Sequence, residues 1–244
     1  FEALKTEDAH GLNTAIGYQA LKAMDAGADG YTTAIGYHAG LKITTGIRNT
    51  LNGAGAGDEL LTGTDNVAIG AFALSTDTDG NKSTAVGRNA LTDADFNIAI
   101  GVSTLTQDTK GSKTVAIGGG ALNAQNFTSA TDTHNVAVGF HAGNDVTTGI
   151  KNTMIGNLSG DKLTDADFNV AVGFGSLSED IQGSRSVAIG AFALEVQAFS
   201  SATNADNVAV GVNAGSAVLT GVKNTLIGAL AGDNITTGTE NTIV

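Results

Sequence analysis

Four histidines, three Asp-x-Asp pairs and two glycine runs are the residues of this 244-residue chain that could do chemistry. His38 and His141 fall in matching contexts, Tyr-His-Ala-Gly and Phe-His-Ala-Gly, and equivalent slots elsewhere hold Gln19, Asn89 and Asn213. A slot that accepts Gln, Asn or His is expected to be tolerant and exposed, not catalytic or metal-binding. His10 lies in a leading segment and His134 ends a loop. With no Cys, the chain has no thiolate metal site, Cys nucleophile or disulfide framework. No Ser, His and Asp share a nucleophile-elbow context, so no enzyme activity and no catalytic or cofactor-binding residue is expected. The runs Gly53–Gly57 and Gly118–Gly120 lack the Lys and the helix of a phosphate loop. Asp77-Thr-Asp79, Asp93-Ala-Asp95 and Asp165-Ala-Asp167 set carboxylates two apart, from which oxygens could converge on Ca²⁺. No bidentate Glu follows at the right distance, so Asp93, Asp95, Asp165 and Asp167 are weak Ca²⁺ candidates. Their plainer role is to start turns and keep the surface soluble.

Composition narrows the rest. The net charge of −12 argues against nucleic acid and against anionic membrane surfaces. No apolar run is long enough to span a bilayer. Glycine numbers 34 but does not recur every third residue, and Pro is absent, which excludes collagen. With 9 Phe, 3 Tyr and no Trp, a core of large side chains cannot be built.

The elements that must position these residues are repeats. A glycine closes a short motif at positions 17, 36, 53, 70, 87, 101, 118, 139, 156, 173, 190, 211 and 228. Most intervals are 17 residues; one is 14, one is 19 and two are 21. Residues 97–168 align without gaps to 169–240, with 37 of 72 positions identical. Three before each glycine stands a β-branched residue; one before it stands Ile or Val, except at Asn52. Between them stands Ala, except at Leu51, Met154 and Leu226. Period-two placement of this kind is strand chemistry, and both faces read as dry. Four after the glycine, Leu fills seven units and Gly six.

Four before the glycine, Asn occupies positions 13, 49, 66, 97, 135, 152, 169, 207 and 224. Stacked rungs would align Asn13, Asn49, Asn66, Asn97, Asn135, Asn152, Asn169, Asn207 and Asn224 as a hydrogen-bonded amide ladder. The pattern predicts an all-β, parallel β-solenoid of about 13–14 short, two-strand rungs. Residues 1–11 form the leading segment and 12–244 a single repeat domain. Longer intervals predict outward loops over 21–31, 123–134 and 195–206. No capping element is evident at either end, so a segment of a longer fibre is expected.

Asn66-Val-Ala-Ile-Gly-Ala-Phe-Ala-Leu74 and Ser186-Val-Ala-Ile-Gly190 resemble the repeat of trimeric autotransporter adhesin heads. Asn13-Thr-Ala-Ile-Gly-Tyr-Gln-Ala-Leu21 and Thr33-Ala-Ile-Gly-Tyr-His-Ala-Gly40 resemble repeats of phage tail fibres and related surface proteins. The adhesin-head repeat is typically 14 residues, which only the interval from Gly87 to Gly101 matches. The resemblance implies a left-handed β-roll and an intertwined or side-by-side homotrimer, with small Ala allowing close approach of three chains. It also implies an extracellular fibre, on a virion or a bacterial surface, whose partners are itself, other fibre domains and host-surface glycan or protein. The chain would be a stiff spacer presenting loops or a tip for attachment. If this segment binds receptor itself, Tyr31, Phe127 and Phe199 are the candidate contacts, although both Phe equally suit pinning a loop to the roll. A Thr rank for ice binding is interrupted by Val and Ile.

Overall fold

The computed structural model describes residues 1–7, 11–91 and 95–244. The chain is an all-β parallel solenoid of about 13 coils. It forms two compact units, residues 1–114 with 126–132, and residues 115–125 with 133–244.

In the first unit six three-residue strands stack in chain order: β1 (Thr14–Ile16), β2 (Thr33–Ile35), β3 (Thr50–Asn52), β4 (Val67–Ile69), β5 (Thr84–Val86) and β6 (Ile98–Ile100). A side ladder joins β7 (Gly111–Ser112) to β9 (Thr131–Asp132). The second unit stacks β8 (Val115–Ile117), β10 (Val136–Val138), β11 (Thr153–Ile155), β12 (Val170–Val172), β14 (Val187–Ile189), β16 (Val208–Val210), β17 (Thr225–Ile227) and β18 (Thr242–Ile243). Its side ladder joins β13 (Gly183–Ser184) to β15 (Thr203–Asn204). Register is constant: Ala137 faces Met154, Met154 faces Ala171, and Ala209 faces Leu226. The expected loops are therefore not simply outward. Leu21, Met24, Gln125 and Gln197 are buried, and the two 21-residue intervals supply β9 and β15.

A two-strand coil was expected, and the main sheet takes one strand per coil. The return wall turns through left-handed corners two and four residues after the marker glycine, and again five before it. Leu122 (φ 48°), His141 (φ 55°) and Lys151 (φ 58°) occupy such corners, as does Gly143 (φ 58°). These angles are unusual for side-chain-bearing residues. They are held because corner amides still bond the neighbouring rung, as Leu122 N does to Ala142 O at 3.1 Å. The marker glycines are needed for a different reason. Gly156 has φ 134°, and a Cβ there would lie 2.4 Å from the carbonyl oxygen of Gly173.

The asparagine ladder exists: amide-to-amide bonds join Asn224 Nδ2 to Asn207 Oδ1 at 3.2 Å and Asn241 Nδ2 to Asn224 Oδ1 at 2.8 Å, and most of its other bonds run from side chain to backbone. Oδ1 of Asn152 accepts from Asn169 N at 2.9 Å, and its Nδ2 donates to Ala166 O at 2.7 Å. Asn66 repeats the pattern, accepting from Ser83 N at 3.0 Å and donating to Gly80 O at 2.7 Å. The use of both ends explains the residue type, since Asp has no donor and would bury a charge. Both Asn are fully buried, so an orphaned partner would cost about 1–3 kcal/mol.

Interior volume is balanced between rungs. The three strand centres that are not Ala each have glycine at the left-handed interior corner of their own rung and of the rung before. Leu51 has Gly57 and Gly40, Met154 has Gly160 and Gly143, and Leu226 has Gly232 and Gly215. A Cβ on Gly143 would lie 2.7 Å from Met154 Cε, and one on Gly215 2.7 Å from Leu226 Cδ1. The same corner takes Leu122 and Leu194 in other rungs, so the backbone accepts Leu and only the space is missing. Met154→Ala is expected to cost about 2–4 kcal/mol and Gly143→Leu about 1–3 kcal/mol. In urea melts the double variant should be clearly less destabilised than the sum of the two; simple additivity would contradict the shared-volume account.

Candidate functional site

The strand centres close the coil interior: Ala34, Leu51, Ala68, Ala137, Met154 and Ala171 are all fully buried. The flanking β-branched residues point the other way. In the first unit Ile16 is 59% exposed, and Ile35, Ile69 and Ile100 lie beside it in the same rank. In the second unit Ile155 is 40% exposed, with Ile189 and Ile227 equally open. Within the single chain the Ala face is the dry one. The small residues line the coil, and the Val/Ile face is the one left open. One residue beyond each marker glycine, exposed Tyr18 and Tyr37 extend this face as stacked rings 5.5 Å apart. Phe140 and Phe174 are exposed at the same repeat position in the second unit.

The residues singled out from sequence are dispersed. Asp95 accepts from Asn81 N at 2.6 Å and Asp167 from Ile150 N at 2.8 Å, so each carboxylate bonds the preceding rung. Asp165 receives only the Thr164 hydroxyl at 3.3 Å, and Asp93 lies outside the described residues, as does His10. Among the described residues no cluster of three or more His, Cys, Asp or Glu could hold a metal ion. No helix of the described residues is long and apolar enough to cross a membrane. Phe127 and Phe199 are 6% and 7% exposed, with their rings turned into the body, whereas Tyr31 stands 57% exposed. His38 is half-buried rather than open: its ring stacks on Tyr37 at 3.8 Å. Its Nε2 is enclosed without a hydrogen-bond partner among the described residues, as is Oδ1 of Asp58.

One exposed column went unnoticed. Five residues before each marker glycine, always at positive φ, stand Leu12, Tyr31, Arg48, Asp65, Lys82, Phe96 and Lys113 in the first unit. His134, Lys151, Phe168, Arg185, Asp206, Lys223 and Glu240 continue the pattern in the second. Six of the chain's 12 cationic residues sit here. Each pairs with the rung that follows. Arg48 meets Asp65 at 2.6 and 2.9 Å, and Arg185 meets Asp206 at 3.0 Å. Lys82 and Lys151 instead lie over the rings of Phe96 and Phe168, at 5.3 and 4.8 Å from their centroids. Exposed ion pairs of this kind add little to stability. The signal was in the sequence, as a cation, acid or ring recurring at one repeat position.

Among protein-family models and curated proteins, none matches this chain.

Among the described residues, Asp180, Asp58 and Asp161 are held above the usual range. Desolvation raises Asp180, although Gln197 Nε2 donates to it at 2.5 Å and the amides of Gly183 and Phe199 at 3.1 and 3.2 Å. Burial likewise raises Asp58 and Asp161. A raised folded pKa means that the folded chain holds these protons more tightly than the unfolded one. Their contribution is therefore most favourable at low pH and declines as pH rises through the raised values. These groups should accordingly lower the melting temperature progressively as pH rises from about 4 towards neutrality, and Asp161→Asn should lessen the decline. An Asp161→Asn variant whose melting temperature follows pH just as the wild type does would contradict this.

Proposed function

We propose that this chain is a structural segment of an extracellular homotrimeric fibre, and that three copies pack through their outward Val/Ile faces. The observation that carries the reading is the unburied rank of β-branched residues in each unit. A regularly spaced, largely apolar face, interrupted in the first unit by Asn52, marks an interaction surface rather than chance exposure on a protein of net charge −12. Identical rung spacing lets parallel copies match rank to rank, so the natural occupant is the chain itself. The likeness of its motifs to adhesin heads and phage tail fibres points to the same assembly. It also supports work as a stiff spacer for host attachment, on a virion fibre or a bacterial surface. The close approach at the axis is made by Val and Ile, not by Ala, which fills the coils.

The absence of native Cys gives a clean test. Ile155→Cys, on the outward face, should be converted to linked pairs of chains by a short bis-maleimide at micromolar concentration. Ala137→Cys, buried inside its coil, should remain a single chain on the same gel. Equal failure of both variants to link would contradict packing through the outward face.

A further inference from the structure

Phe168 occupies a left-handed corner (φ 59°), directly before buried Asn169. Its ring is 50% exposed, with the Lys151 ammonium lying over it. Beside it opens a concavity of about 560 Å³ lined by Phe168, Arg185 and Asp206. The ion pair in its wall brings Arg185 Nε to 3.0 Å from Asp206 Oδ1. Arg48 and Asp65, by contrast, meet through two contacts, Nε to Oδ1 and Nη2 to Oδ2. No such fork of hydrogen bonds joins Arg185 to Asp206 among the described residues, so guanidinium N–H groups and an Asp206 oxygen keep bonding capacity. A flat apolar ring therefore adjoins a carboxylate acceptor and a multiple donor, whose own charges offset one another. Lys223, at the next corner, is drawn 3.6 Å from Glu240.

We propose that Phe168, Arg185 and Asp206 form a saccharide subsite for a neutral hexopyranose. The C–H face of the sugar packs on the Phe168 ring, Asp206 accepts from adjacent hydroxyls, and Arg185 donates to a hydroxyl or the ring oxygen. A carboxylated or sulfated ligand would have to face Asp206, whereas a neutral sugar uses both members of the pair. The 72-residue repeat supplies an internal comparison. Phe96, Lys113 and His134 take the equivalent places, and there Lys113 is engaged by Asp132. The subsite lies wholly within one chain, so it stands or falls separately from the trimer.

The test is binding of the full chain to an array carrying neutral, carboxylated and sulfated oligosaccharides, with melting curves to verify folding. The wild type should bind neutral hexose-containing glycans. Phe168→Ala and Asp206→Asn should each weaken that binding about tenfold or more, the equivalent of about 1.4 kcal/mol. Phe96→Ala should leave it unchanged. A blank array, binding confined to carboxylated or sulfated glycans, or undiminished binding by folded Phe168→Ala would overturn the proposal.

Discussion

A buried asparagine that uses both ends of its side chain is the interaction on which the fold depends. A rung of about 17 residues cannot bury a core of its own; it is stable only when its backbone groups are taken up by the rungs on either side. The three-residue strands satisfy few of those groups. Asn152 supplies what they lack, taking the amide of the next rung and covering the carbonyl of Ala166. Repeated through each unit, this bracket fixes vertical register, and register keeps every other column in line. Marker glycines then stack on marker glycines, at distances no Cβ would allow.

Constant register makes the interior a problem in volume. Ala at the strand centre leaves room for Leu at the left-handed corner; Leu or Met at the centre takes that room and requires glycine in two successive rungs. Met154 with Gly143 and Gly160 is the clearest case. With the interior filled by small strand residues and Leu, the β-branched residues are pushed outward. The same packing that closes each coil thereby creates the apolar face that we assign to self-association. The charged corner column lies at another repeat position, and there the chain places half of its cations.

Much of this was legible in the sequence. The spacing of Gly17, Gly36 and their successors gave the rungs, and the β-branched, Ala, β-branched triplet gave the strands. What failed were inferences about direction. Alternation alone says that Ile155 and Met154 face opposite ways, but not which faces in. The pairing of Leu51, Met154 and Leu226 with flanking glycines carried that information, because only an interior position needs such compensation. The left-handed corners at Leu122, Lys151 and Phe168 were hidden, since these residue types do not favour positive φ and are held there by inter-rung hydrogen bonds. A strand was expected where those bonds exist without strand geometry. The Phe168 subsite escaped notice because its members are 17 and 38 positions apart and meet only once the rungs stack.

The most direct test of the central claim is the molar mass of this chain in solution, by light scattering behind a sizing column. The account predicts three times 24.3 kDa, held at dilution into the low micromolar range. A monodisperse species of 24.3 kDa would mean that the Val/Ile face is stable in water, and would contradict assembly through it.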